Sequence, residues 1–499
     1  MKVFTLLKNN YQLLLIGLLI LLSTFFRFWD LGYSDYIPDE YKSFMVLKEG
    51  ESPSDFFLRQ RKGPMQFLLN SFIYQFSQDY RNELLHRIPF TLISSINVFL
   101  FFLLAKRLTG KFEKSFEISI ISAFLFSFNG FIFGFSRIAQ YQNLNMFFSF
   151  ISVLLFFKLM EQKEKVRQIL FAFLSSIFFI FSILSHWDAV FYLILILCLL
   201  ITKYVEVKDL KFVLRTIVTF LITNLIILGT LLYFYLSKLS ENTTNQEYLE
   251  RRIEFLSSNL TNFYHYIVLY NPYLFFSLAT ISVIYSFYFF KRNIQINIWF
   301  LATLLLFILF FKKPGTHIYN FLLPVFIMMG IFLSQIWELK YKKIPAKFQV
   351  LKYPIISVVL FFIFFQTYTL FVDSSKEYPF EVDKILLLKT HEYKYAEEEK
   401  LPLFGFPNRR NWNEINSYLL EENKKRGKDL KYISNEDDGI VKWYLDLKYG
   451  QGEEFYYIGV KNPQNFISDY RPRGFKIVET ILDENSSKVK IWIVRKKIK

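Results

Sequence analysis

The sequence predicts an all-α polytopic membrane protein with a small α/β domain at its C-terminal end. Three observations predict it. Windows of about 18 to 22 residues nearly free of charge recur along the first three quarters of the chain, the length that crosses a bilayer core. The connectors between them are repeatedly basic. From about residue 373 charge becomes dense and the apolar runs shorten. The 499 residues are 53% hydrophobic and include 62 Phe, too apolar for a soluble protein of this length.

The expected spans are 11–28, 87–105, 116–135, 143–160, 169–185, 187–203, 212–235, 270–290, 297–311, 318–337 and 351–372, about eleven in all. The N-terminus has a signal-like apolar stretch without a small-residue cleavage site, so it reads as a retained first span. The junction "SHWD" (185–188) divides spans five and six.

The net charge of +16 does not indicate nucleic acid. Much of it lies in short loops, at 106–114, 158–167, 203–211, 291–293 and 338–347, where positive charge fixes topology. Those loops fall on one side if the N-terminus is cytoplasmic. The segment 29–86, the turn 136–143, "SHWD", the segment 236–269 and "KKPGTH" (312–317) then lie outside, and so does the tail. This divides the chain into a transmembrane domain, 1–372, and an extracytoplasmic α/β domain, 373–499.

Residues 64–80 are apolar but too short and polar for a span, and predict an interfacial helix within a structured outer loop, 29–86. The loop 236–269 also has room for a short surface helix. In the tail, "NWNEINSYLLEENKKRG" has helical spacing, with Trp412, Ile415, Tyr418 and Leu419 roughly on one face. "EEFYYIGV" and "KVKIWIVRKK" read as strands. The single cysteine, Cys198, excludes an intrachain disulfide and a cysteine-rich metal site.

The unusual polar residues gather on the outer face: Arg27, Asp39, Glu40, Lys62, His86, Arg87, Arg137, His186, Asp188, Lys312, Lys313, His317, Tyr319 and Asn320. Each has a plainer reading. Arg27, Arg87 and the Lys312–Lys313 pair suit headgroup anchors. His186 and Asp188 suit a capped hairpin. Tyr33, Tyr36 and Tyr41 suit interface aromatics, and Asp39–Glu40 after Pro38 suits a helix start. The functional reading joins them: a carboxylate takes a proton from a hydroxyl, and cations clamp a phosphate.

Five stretches carry a family likeness: "IPDEYKSF", "RKGPMQFLLNSFIYQF", "HRIPFTLISSINVFLFFLLAKRLTG", "AFLFSFNGFIFGFSRIAQYQNLNMFFSFISVLLFF" and "GTHIYNFLLP". Over roughly residues 10–340 the sequence resembles the membrane-embedded GT-C glycosyltransferases, in particular the protein O-mannosyltransferases and the lipid A aminoarabinose transferase. The resemblance implies an inverting glycosyltransferase. Its donor is a sugar linked to polyprenyl phosphate, and its acceptor a protein, lipid A or an envelope glycan. It places the essential first-loop acid on Asp39 with Glu40 beside it, and the lysine of the Lys-Pro-Pro segment on Lys62. Arg87 and Arg137 match further polar-site arginines, and His317 and Tyr319 belong to the later outer-face segment.

The chain departs from the pattern at Gly63, where the family has Pro, and at "QYQN" (140–143), where many relatives have an acid. It also lacks the Trp-Trp-Asp signature of oligosaccharyltransferases. No cofactor is implied. Whether a divalent metal is needed stays open, because no compact set of His and acid ligands appears. The other classes considered are a non-enzymatic transporter or flippase of polyprenyl-linked lipid and a structural subunit of an envelope-polymer complex. A transporter would line a path with polar residues inside several spans, whereas here the polar residues are expected at the span ends. The sequons at Asn242, Asn259 and Asn485 fall outside the membrane in this topology.

Overall fold

The computed structural model describes residues 2–60, 62–240, 267, 269–271, 274–311, 315–335, 352–375, 377, 403–461, 472, 474–482 and 488–496. The basic loop 338–347, Lys312, Lys313, the three sequons and the surface helix expected in 236–269 lie outside these residues.

The first helix, α1 (Lys2–Phe28), leads into a loop carrying three short helices: α2 (Pro38–Tyr41), α3 (Pro53–Arg59) and α4 (Met65–Ser77). The long helices follow: α5 (Glu83–Leu108), α6 (Ser115–Ser127), α7 (Gly130–Ser136), α8 (Gln142–Glu161), α9 (Lys165–Ser185), α10 (Val190–Val207) and α11 (Leu210–Ser240). Then come α12 (Leu274–Tyr288), α13 (Ile294–Phe310), α14 (Tyr319–Gln335) and α15 (Lys352–Thr367). Among the described residues, eight helices are long and apolar enough to cross a membrane. The count of eleven is not reproduced as such: α12 and α13 are shorter apolar helices, and the segment expected as one straight span at 116–135 is the broken pair α6–α7, bent by 60°. Asn129 breaks it. Its Oδ1 accepts from Phe131 N at 3.0 Å and caps the second half, while its Nδ2 donates to Asn271.

Outward faces of the long helices expose large apolar side chains, among them Leu13, Leu21, Leu225 and Ile226. In water such a belt would aggregate, whereas in lipid it is solvated. The inner faces hold a feature the sequence reading did not expect. Polar residues also sit within spans. Asn145, Ser149 and Ser152 recur at i, i+4 and i+7 on α8, facing Ser182 and Ser175 of α9. Asn145 Nδ2 donates to Ser182 O at 3.1 Å, the Ser149 and Ser182 hydroxyls are 2.5 Å apart, and Ser152 Oγ donates to Ser175 O at 2.7 Å. These groups satisfy one another across the two helices, at about 0.6 kcal/mol per contact. They join two helices and do not line a path.

In the α4 helix, Phe67 and Asn70 are buried, whereas Leu68, Phe72 and Phe76 are exposed at i, i+4 and i+8. One apolar stripe is therefore left without protein cover, as an interfacial helix requires.

The C-terminal unit contains α16 (Trp412–Arg426), β1 (Lys431–Ser434), α17 (Asp438–Tyr444), β2 (Glu454–Val460), β3 (Phe475–Leu482) and β4 (Val489–Lys496). The sheet order is β1-β2-β4-β3, with β1–β2 parallel and the other pairs antiparallel. Both strands expected from the sequence are present. On α16, Trp412, Ile415 and Leu419 are buried, but Tyr418 is exposed. At 100° per residue Tyr418 falls about 60° outside the stripe, and Asn416 extends the buried face at its opposite edge.

This unit docks on the loop after α1, so the two lie on one side of the bundle. Arg81 forms a bidentate pair with Asp446 at 2.7 and 3.2 Å. Tyr444 OH accepts from Tyr36 N at 2.8 Å and donates to Glu83 at 2.5 Å. Phe44 stacks on Trp443, with ring centroids 5.5 Å apart. Buried Arg410 pairs with Glu377 at 2.7 Å, and its backbone N–H donates to Asp35 at 2.5 Å.

Burial pushes both Asp35 and Glu436 up to about 7. Both folded values lie above the unfolded range of about 4. Their contribution is therefore complete below about pH 4 and is lost as pH rises through about 7. Exchange protection of α16 and α17, relative to the intrinsic amide rates, should fall between about pH 5 and pH 8, and Asp35→Asn should flatten that dependence. Exchange protection that stays flat across this range in the unaltered protein would contradict the assignment.

Candidate functional site

The helix α2 begins as its sequence dictates: Pro38 fixes the first turn, and Asp39 and Glu40 favour its N-terminal end. The two acids then part. Glu40 turns inward and is fully buried. Its carboxylate takes a bidentate pair from Arg87, at 2.9 Å to Nε and 2.8 Å to Nη2. It also accepts from Ala139 N at 2.9 Å and Ile37 N at 3.2 Å. Arg87 spends its remaining N–H groups on the carbonyls of Leu31, Ser34 and Asp35. A buried charge pair is tolerated only when its remaining hydrogen bonds are met, and here they are.

Asp39 turns the other way, its side chain 39% exposed. Lys62 Nζ lies 4.0 Å from Asp39 Oδ1 and 3.5 Å from the Asp39 carbonyl. An ion pair this open is worth about 0 to 1 kcal/mol, too little to explain it as a stabilising device. Lys62 Nζ also stands 5.8 Å from the centre of the Tyr141 ring, and Tyr141 stacks on His186 at 3.9 Å. The two histidines follow in the same row, with His186 and His317 ring centroids 5.2 Å apart.

Asp188 closes this row. Its Oδ1 lies 3.0 Å from His186 Nδ1 and 2.9 Å from His317 Nδ1. Its Oδ2 accepts from Tyr319 OH at 2.8 Å and Asn320 Nδ2 at 3.2 Å. The hairpin reading of "SHWD" holds locally, since His186 Nδ1 accepts from Asp188 N at 3.2 Å. Yet the aspartate also ties the α9–α10 corner to the 3-10 turn Gly315–Ile318. The expectation that no compact set of His and acid groups exists is corrected here. His186, Asp188 and His317 are brought together by a contact spanning 129 residues, which no local spacing announces.

The fold thus brings Asp39, Lys62, His317 and Tyr319 to one polar row, with Tyr141, His186 and Asp188 between them. It places Arg87 and Arg137 elsewhere. Arg137 donates to the carbonyls of Phe26, Arg27 and Trp29 at 2.8 to 3.1 Å and of Asp30 at 3.3 Å. These are the orphan acceptors at the end of α1, so the guanidinium is its C-terminal cap. Arg27 is no headgroup anchor either. It is fully buried and donates to Ser127 Oγ and O at 3.0 and 2.9 Å. Sequence reading named Asp188 and its partners His186, His317, Tyr319 and Asn320 without joining them into one cluster, and it passed over Tyr141. The row of aromatic rings beside "SHWD" was the one available signal.

The departure at Gly63 also has a structural reason. A Cβ there would lie 1.9 Å from Leu184 O and 2.8 Å from Ser185 O, so the chain beside Lys62 packs directly on the end of α9. Gly63→Ala should displace this loop and lower turnover about tenfold or more, with the protein still extracted as a folded species. Unchanged kinetics would show that the close approach is dispensable.

A cavity of about 460 Å³ opens at the junction with the C-terminal unit and is lined by residues including Tyr33, Arg409, Arg410, Glu414, Tyr418 and Lys488.

No protein-family model and no curated protein matches the chain. Solved structures do. ArnT from Cupriavidus metallidurans bound to undecaprenyl phosphate aligns with a TM-score of 0.55 at 11% identity, over 97% of this chain and 98% of that one. The chain therefore shares the fold of ArnT. The apo state of the same ArnT gives a TM-score of 0.52 at 11% identity over 98% of both chains. An oligosaccharyltransferase from Archaeoglobus fulgidus overlaps less, with a TM-score of 0.40 at 14% identity over 78% of this chain and 49% of that one. The likeness to ArnT extends over nearly the whole chain, including the C-terminal unit.

Proposed function

We propose that this protein is a GT-C inverting glycosyltransferase that moves a sugar from a polyprenyl-phosphate donor to an acceptor on the outer face of the membrane. The observation that carries the reading is the Asp39–Lys62 pair. A partly exposed carboxylate and a partly buried ammonium stand side by side on the loop after α1, in the fold of an enzyme seen with undecaprenyl phosphate. In this reading the acceptor is a protein hydroxyl, lipid A or an envelope glycan. The segment 373–499 is an extracytoplasmic domain, and the N-terminus is cytoplasmic.

Each group then has a role set by its surroundings. Asp39 takes the acceptor proton as the acceptor attacks the anomeric carbon from the face opposite the leaving phosphate. Lys62 holds the phosphate as it leaves with the electron pair of the glycosidic bond. Glu40 has no open oxygen and touches neither substrate. It fixes the turn that presents Asp39. Arg87 and Arg137 act at the same remove, one by holding Glu40 and the other by capping α1. His317 and Tyr319 border the row through Asp188 and line the donor side.

The transporter reading requires a polar path through the spans, whereas Asn145, Ser149 and Ser152 of α8 are paired with Ser182 and Ser175 of α9. The test is transfer by purified protein with a panel of polyprenyl-phosphate sugars and an envelope extract as acceptor. Formation of a glycosylated product with release of polyprenyl phosphate supports the reading. Movement of the lipid across a vesicle bilayer without product overturns it. Within the same assay Lys62→Ala should raise the KM for donor about tenfold or more, with a smaller change for acceptor. Equal donor kinetics would remove Lys62 from the phosphate role.

A further inference from the structure

We propose that His186, Asp188 and His317 form a binding site for one divalent transition metal of the zinc class. His186 Nδ1 lies 3.2 Å from Asp188 N in acceptor geometry, which turns its lone pair toward Asp188. Asp188 Oδ1 stands 3.0 Å from it and carries only lone pairs. That oxygen is buried and has no hydrogen-bond partner among the described residues. Two acceptors this close in a dry site repel unless a cation lies between them.

The third donor completes the set. His317 Nδ1 is 2.9 Å from the same oxygen, and the three ligand atoms all lie within 4.8 Å of one another. Metal–ligand bonds of about 2.0 to 2.2 Å place neighbouring donors of a tetrahedral ion about 3.3 Å apart. The observed separations require only a small expansion to admit the ion. In the metal-free state His317 Nδ1 donates to Asp188 Oδ2 at 3.0 Å. Metal binding replaces that proton and releases it to water.

Two imidazole nitrogens and one carboxylate oxygen select zinc or a neighbouring transition metal over magnesium and calcium, which take oxygen shells. Three protein donors leave a fourth position for water or an anionic oxygen. The surroundings hold the donors in place. Tyr319 and Asn320 grip Asp188 Oδ2, Tyr141 stacks on His186, and Trp187 lies 4.9 Å from the His317 ring. Such outer partners set ligand orientation and affinity. The site ties the α9–α10 corner to the turn before α14.

The proposal does not depend on the transfer reading, because metal is measured without substrate. Full-length protein carrying an affinity tag free of histidine is purified in detergent without added metal. Elemental analysis should find about one zinc per chain, removed by a chelator and restored by zinc. Cobalt substitution should give the intense visible absorption of a four-coordinate ion. His317→Ala should weaken zinc binding about tenfold or more. His317→Cys should keep binding and add a thiolate-to-cobalt charge-transfer band, an effect a purely structural histidine would not produce. If His317→Ala does not fold, the cysteine variant carries the test. Folded unaltered protein that takes up no zinc and leaves cobalt as the hydrated ion overturns the site. So does His317→Ala or His317→Cys protein with unaltered affinity and cobalt spectrum.

Discussion

Asp39→Asn should reduce transfer by about 10²- to 10⁴-fold, the usual contribution of a positioned general base. The replacement is nearly isosteric and removes the proton acceptor without removing bulk. The side chain is partly exposed, so no buried network is broken and protein yield and thermal stability in detergent should stay near those of the unaltered protein. Donor binding, measured with a non-transferable analogue, should persist because Lys62 is untouched. Asp39→Glu should recover part of the activity, less than the original, since one extra methylene moves the base relative to the anomeric carbon. Near-normal turnover of Asp39→Asn would show that the acid on the loop after α1 is not the base. A variant that loses donor binding together with turnover would point instead to a role in holding the donor.

Much of this arrangement was legible in the sequence because it obeys local rules. Charge-free runs with basic connectors place the long helices, and the tail strands follow from their alternation. Pro38 followed by two acids announces the helix start at α2. What local rules do not contain is the direction each side chain takes once the helices pack. Asp39 and Glu40 are neighbours in sequence, yet one is open and the other fully buried. Arg87 and Arg137 match cationic positions of the GT-C resemblance, and their guanidinium groups are occupied by Glu40 and by backbone carbonyls of the α1 corner. Composition identifies a cation but not the acceptor that claims it. The same limit hid the cluster at Asp188, whose partner His317 arrives through helix packing alone. The bend at Asn129 was missed for the opposite reason: one polar residue inside a long apolar run carries little weight in a hydropathy window, although its capping bonds redirect the chain.

The Glu40–Arg87 pair carries the largest expected effect on stability. Glu40→Ala should lower stability by about 3 to 5 kcal/mol, the cost of leaving a buried charge without its partner. The loss extends beyond the ion pair, because the carboxylate also serves Ala139 N and Ile37 N, and the guanidinium serves three carbonyls of 31–35. One salt bridge therefore fastens three segments: the corner after α1, the turn carrying Asp39, and the end of the broken helix pair. Arg87→Ala should be destabilising to a similar degree, since it leaves a carboxylate stranded and those carbonyls unpaired. The two effects should not add. A Glu40→Met, Arg87→Met double variant removes both charges and fills the space with apolar groups, and it should be more stable than either alanine variant. Thermal unfolding of the four proteins in one detergent gives their order of stability. The double variant should nevertheless transfer poorly, because the loop that presents Asp39 has lost its anchor while Asp39 itself is unchanged. A stable double variant with full activity would mean that Asp39 is held by its own contacts with Lys62 and needs no buried support.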